Sequence, residues 1–105
     1  MAEAVLLITD DIALAHTCAD ALPPPTYGLT HESTAGQGLV RGLAASALVL
    51  ADLAVPDRPV DLVARLVARD RIVIAVGSPA DPVGAADALD AGAVQFLAKP
   101  VDPRL

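Results

Sequence analysis

Asp10, Asp11, Asp52 and Lys99 are the residues of this sequence whose types and spacing could do chemistry together. Each stands directly after an apolar or largely apolar run. Val5-Leu6-Leu7-Ile8 leads to Thr9-Asp10-Asp11, Ala47 to Ala51 leads to Asp52, and Val94 to Ala98 leads to Lys99-Pro100. Three carboxylates gathered at one rim repel one another unless a cation joins them. Mg²⁺ is the natural candidate, because it takes oxygen ligands and keeps positions open for a phosphoryl oxygen. Lys99 is the single lysine beside six arginines, at 41, 58, 65, 69, 71 and 104. A compact ammonium on a long stem suits a point contact to a phosphate. Taken singly, each group also has a plainer reading: Asp52 as a cap of the turn before Pro56, Asp10 or Asp11 as a helix cap, Lys99 as a solvated turn residue. Their joint placement is what favours a common site.

The elements that must position them follow from periodicity. Val5 to Ile8, residues 47 to 51 and Ile72 to Val76 are continuous apolar runs without strict alternation, the pattern of parallel strands buried on both faces. Val94 to Ala98 is a further strand, and Thr26 to Glu32 alternates weakly, as a short edge strand does. Between them lie four helical stretches. Ile12 to Leu22 carries apolar residues at helical spacing and stops at Pro23-Pro24-Pro25. Ser33 or Thr34 can cap Ala35 to about Ala45, a stretch weakened by Gly36, Gly38 and Gly42. Pro59 can open a third helix with Leu62, Val63, Leu66 and Val67 as its stripe. Asp81-Pro82 starts a fourth, which Ala91-Gly92 ends. Strands alternating with helices predict βαβ units and a parallel sheet with right-handed crossovers. In such sheets ligands bind beyond the carboxyl ends of the strands, where all four charged groups fall.

Composition narrows the class. A chain of 105 residues makes one domain, residues 1–105. At 54% hydrophobic but 2% aromatic, its core must be built from Ala, Val, Leu and Ile. A net charge of −6 with no basic run argues against direct nucleic-acid binding. Cys18, the single cysteine, excludes an intrachain disulfide and a cysteine-based metal site, and reads as a small buried residue. His16 and His31 share no spacing and are not expected to ligate a metal. The Val5–Ile8 run is too short for a signal peptide, and no run is long enough to span a membrane. A soluble cytoplasmic domain without membrane contact is expected.

These residues together resemble the receiver domains of two-component response regulators, over nearly the whole chain. Thr9-Asp10-Asp11, Leu50-Ala51-Asp52-Leu53-Ala54-Val55-Pro56, Ala91-Gly92-Ala93 and Phe96-Leu97-Ala98-Lys99-Pro100 carry the resemblance. It implies an α/β fold, a doubly wound five-stranded parallel sheet of flavodoxin-like order 2-1-3-4-5. It also implies that Asp52 accepts a phosphoryl group from the phosphohistidine of a sensor histidine kinase or phosphotransfer protein. By the same resemblance, Asp11, Asp52 and the main-chain carbonyl of Ala54 would bind Mg²⁺, with Asp10 helping through water. Lys99 would contact the phosphoryl oxygens, and its bond to Pro100 is commonly cis in the family. Phe96 stands where the family has its switching aromatic, although by itself it reads equally well as a core residue. Such a chain is a signalling module, not an enzyme, and at most catalyses its own phosphorylation and dephosphorylation.

Two departures from the family matter. Gly77, followed by Ser78, stands where the family places a Thr or Ser at the end of the fourth strand. The Gly77 N–H or Ser78 can still meet a phosphate, while coupling from phosphate to Phe96 is weakened. Only Val101 to Leu105 follow the fifth strand, so a fifth helix is expected to be absent. One sheet face would then expose valines and leucines, which points to a homodimer or to a missing output segment. The alternative function is a pseudo-receiver, a constitutive protein-interaction or dimerisation module.

Overall fold

The computed structural model describes residues 3–24, 26–44, 48–56 and 58–100. Five strands and four helices alternate strictly along them: β1 Glu3–Ile8, α1 Ile12–Ala21, β2 Tyr27–Glu32, α2 Ala35–Ala44, β3 Leu48–Asp52, α3 Pro59–Val67, β4 Ile72–Gly77, α4 Pro82–Asp90 and β5 Gln95–Ala98. All strand pairs are parallel, in the order β2-β1-β3-β4-β5, as expected. β4 ends one residue later than its apolar run, because Gly77 still pairs with Ala98. Ala47, expected to open the third strand, and residues 101–105, expected to be too short for a fifth helix, lie outside the described residues.

Register divides the sheet into two faces. Leu6, Ile8, Val49, Ala51, Val73 and Ala75 face one way, and with Leu62, Val63 and Leu66 of α3 and Ala88 of α4 they form the larger core. Each fully buried Leu or Val here contributes about 1.5–3 kcal/mol relative to exposure. The opposite face holds a smaller cluster, Leu7 and Val76 against Leu14 and Cys18 of α1, so Cys18 is the small buried residue expected of it. Burial pushes its thiol pKa up.

Helix starts follow local capping chemistry. Asp11 Oδ1 accepts from Leu14 N at 3.2 Å at the head of α1, and Asp81 Oδ1 accepts from Gly84 N at 2.9 Å at the head of α4. Of the two candidates before α2, Thr34 is the cap, its Oγ1 accepting from Gln37 N at 3.2 Å. The glycines of α2 are not merely weak helix formers. A Cβ on Gly38 would stand 2.6 Å from Ile8 Cδ1, and one on Gly42 would stand 2.7 Å from Leu66 Cδ2, so their absence lets α2 approach β1 and α3. Arg71 closes the far end of α2, donating from Nε to Gly42 O at 2.8 Å and from Nη2 to Leu43 O at 2.9 Å. A guanidinium on carbonyls that have no helical partner suits the negative end of the helix dipole.

Candidate functional site

Parity along the strands places the chemistry. In register, Ile8 pairs with Ala51, so Thr9 and Asp52 follow at neighbouring strand ends and share the face of Leu7 and Leu50. Lys99 follows β5 with the parity of Leu97, on that same face. Their side chains meet. Lys99 Nζ donates to Asp52 Oδ2 at 2.8 Å and to Asp11 Oδ2 at 3.0 Å. Asp52 has no solvent-exposed surface, while Asp11 and Lys99 are partly exposed. A buried carboxylate without partners would be costly, and here both oxygens are hydrogen-bonded: Ala54 N donates to Oδ1 at 2.9 Å. The Lys99–Pro100 peptide is cis.

Charge and burial act together on two of these groups. The Lys99 hydrogen bond, helped by the Leu14 backbone N–H, holds the Asp11 carboxyl below the usual carboxylate range. Burial works to lower the Lys99 ammonium pKa, but hydrogen bonds to Asp52 and Asp11 outweigh it and raise the value. Asp11 therefore serves both readings at once. Its Oδ1 caps α1 and its Oδ2 faces Asp52 across Lys99.

The expected cluster of three carboxylates does not form. Among the described residues no group of three or more His, Cys, Asp or Glu side chains is gathered to hold a metal, and Asp10 is exposed. The reason is topological: once Asp11 turns inward to cap α1, its chain neighbour faces outward. What remains fits a hard cation nonetheless. A cation already bridges the Oδ2 atoms of Asp11 and Asp52, and the available donors are all oxygens, which suits Mg²⁺.

Gly77 and Ser78 sit at the rim, and the hydrogen bonds of the described residues join neither of them to Asp52. Lys99 N donates to Gly77 O at 2.8 Å, joining the ends of β4 and β5. The Ser78 hydroxyl accepts from Ala80 N at 3.0 Å, within its own loop. Ser78 also lines a cavity of about 370 Å³ with Asp11, Leu14, Thr17, Lys99 and Pro100, beside the buried carboxylate. Phe96 and Gly77 share the other face of the sheet, that of Ala75, where Phe96 packs on the larger core.

One member of the site was not singled out from the sequence. Thr9 is buried as completely as Asp52, and its Oγ1 donates to Asp52 Oδ2 at 2.5 Å while accepting from Asp11 N at 3.0 Å. The parity that puts 5 and 7 opposite 48 and 50 would have flagged it, since 9 and 52 continue the two series. His31, set aside as a metal ligand, donates from Nε2 to the Thr9 carbonyl at 2.7 Å and so helps hold the end of β1.

No protein-family model and no curated protein matches the sequence. Solved structures do. A CheY-like response regulator receiver domain protein from Methanospirillum hungatei JF-1 is 27% identical with a TM-score of 0.86, the match covering 99% of this chain and 86% of that one. The signal receiver domain of an HD domain-containing protein from Pseudomonas fluorescens Pf-5 is 22% identical with a TM-score of 0.87, over 99% of this chain and 87% of that one. A response regulator from Burkholderia pseudomallei, solved with a phosphorylated aspartic acid, calcium ion and citrate, is 24% identical with a TM-score of 0.84, over 97% of this chain and 62% of that one. Along nearly its whole length, the chain therefore has the fold of the CheY-like response regulator receiver domains.

Proposed function

We propose that this chain is a phosphorylation-operated signalling switch in which Asp52 accepts a phosphoryl group from the phosphohistidine of a sensor histidine kinase or phosphotransfer protein. The observation that carries this reading is the buried Asp52 carboxylate at the end of β3, tied to the single lysine of the chain, which also reaches Asp11. Phosphoryl transfer asks a protein mainly for positioning and for neutralisation of spread-out charge. Asp11, Asp52 and the Ala54 carbonyl would hold Mg²⁺, with Asp10 assisting through water, and the ion would neutralise charge on the phosphoryl oxygens. Lys99 would follow the transferred group as its second positive partner, with the Gly77 N–H and Ser78 at the same rim. The Burkholderia pseudomallei structure with its phosphorylated aspartic acid supports the reading by likeness of fold.

Incubation with acetyl phosphate and Mg²⁺, followed by intact mass, tests it. One base-labile phosphoryl group, cleaved by hydroxylamine as an acyl phosphate is, is expected, and Asp52→Asn should abolish it. A modification that persists in Asp52→Asn removes the assignment. One observation favours a second reading: Gly77 has no hydroxyl to offer a phosphoryl group, and the Phe96 ring already lies against it. A pseudo-receiver acting as a constitutive interaction or dimerisation module would show no modification in the wild type.

A further inference from the structure

We propose that Thr9 is a positioning residue that clamps one oxygen of Asp52 and shortens the lifetime of its phosphorylated form; the inference rests on the phosphoacceptor reading above. The Thr9 hydroxyl has one proton and one direction in which to send it. Its acceptor side is taken by Asp11 N at 3.0 Å, and its proton goes to Asp52 Oδ2 at 2.5 Å. The side chain is completely buried, and a β-branched residue has few rotamers to choose from. Lys99 differs in this respect, since a partly exposed ammonium on four methylenes can follow a phosphoryl group.

The donors also distinguish the two oxygens of Asp52. Oδ2 accepts from both Thr9 and Lys99, whereas Oδ1 accepts only from Ala54 N. Oδ1 therefore keeps a lone pair for attack. In phosphorylation Oδ1 bonds to phosphorus as the bond from phosphorus to the donor's leaving atom breaks, the ring nitrogen of a phosphohistidine or the carboxyl oxygen of acetyl phosphate, and Oδ2 becomes the carbonyl oxygen of the acyl phosphate. In hydrolysis water attacks phosphorus, the bond to Oδ1 breaks, its electron pair returns to the carboxylate, and the water proton leaves with phosphate.

Thr9 is bonded to Oδ2 throughout, but not equally strongly. A hydrogen bond to a carboxylate is roughly twice as strong as one to a neutral carbonyl. The bond from Thr9 therefore strengthens as negative charge returns to the carboxylate, and it lowers the barrier to loss of the phosphoryl group. Formation passes through a loose transition state in which the carboxylate keeps most of its charge, so its rate changes little.

The test is a pair of rates for wild type, Thr9→Val, Thr9→Ala and Thr9→Ser, measured by intact mass with acetyl phosphate and Mg²⁺ and then after removal of the donor. Thr9→Val keeps the shape and removes the hydroxyl; Thr9→Ala does so without filling the space. The phosphorylated state of both should persist roughly fivefold longer than in wild type, with formation rates much closer together, and Thr9→Ser should return the lifetime toward wild type. An unchanged or shortened lifetime in the variants without the hydroxyl overturns the clamp, as does a long lifetime in Thr9→Ser. A wild type that takes up no phosphoryl group overturns the phosphoacceptor reading itself, and the role of Thr9 with it.

Discussion

Phe96 rests the edge of its ring against Gly77, so closely that a Cβ on Gly77 would stand 3.2 Å from Cε1 and 3.5 Å from Cζ. The ring occupies the approach that a side chain at Gly77 would need. A ligand shifts a conformational equilibrium only through contacts that differ between the two states, and Gly77 offers a phosphoryl group fewer of them. Beryllofluoride or phosphorylation should therefore perturb NMR signals around Asp52 far more than those of Phe96. Gly77→Thr should move the ring and extend the perturbation to it, at a cost of about 1–3 kcal/mol from overpacking, read by urea unfolding. Equal perturbation of both regions in the wild type would sink the idea.

Mg²⁺ and the Lys99 ammonium would compete for the same oxygens, because Lys99 holds the Oδ2 atoms of both Asp11 and Asp52. Removing the ammonium leaves two close carboxylates without a counter-charge. Lys99→Met should then bind Mg²⁺ more tightly, roughly tenfold by titration calorimetry, an advantage of about 1.4 kcal/mol. Mg²⁺ should raise the melting temperature of the wild type, and Asp11→Ala should lose that rise. If Asp11→Ala responds to Mg²⁺ as wild type does, the ion binds elsewhere.

The strands were legible because β1, β3 and β4 are unbroken apolar runs, while their order came from the resemblance to receiver domains. Asp52 and Lys99 stood out by their joint placement at or just past strand ends. Thr9 was missed because a threonine closing an apolar strand looks like ordinary strand composition; only the register with β3 reveals that its hydroxyl faces a carboxylate. Adjacency in sequence did not show how differently the two acids are placed: Asp10 is exposed, while Asp11 caps α1 and meets Lys99. The glycines of α2 looked like a defect, and their use, close approach to Ile8 and Leu66, depends on neighbours distant in the chain.

The Asp11–Lys99 pair sets the limits of a pH plateau. The Asp11 carboxyl pKa is lowered by Lys99, so the unfolded chain binds that proton more readily than the folded one. Its contribution is present above the ordinary carboxylate value and lost as pH falls through the lower, folded-state value. Lys99 is raised, with burial opposing and the two carboxylates prevailing, so its contribution is present below the ordinary lysine value and lost as pH rises through the folded one. Urea midpoints of wild type and Asp11→Asn should differ at neutral pH and converge on strong acidification. A gap that widens as pH falls would show that Asp11 is not stabilised as a carboxylate.

The sheet face that carries α1 is covered unevenly, and self-association should follow. Leu14 and Cys18 cover Leu7 and Val76, but Leu50 and Leu97 are only partly buried, and Ile74 on the same face is half-buried. Ile72 beside them is 51% exposed. The other three helices lie on the opposite face, where they pack against the larger core. The half-buried Leu50, Ile74 and Leu97 and the exposed Ile72 leave an apolar strip that a second copy can cover, part of the gain being offset by the entropy of association. The 105-residue chain is therefore expected to form a two-fold dimer through this face at micromolar concentration, measured by sedimentation. Ile72→Glu, placing a charge on the patch at a half-exposed position, should give monomers with little change in fold by circular dichroism. A wild-type chain that sediments as a monomer, melts cooperatively and binds no hydrophobic dye would show that the patch is covered from within the same polypeptide.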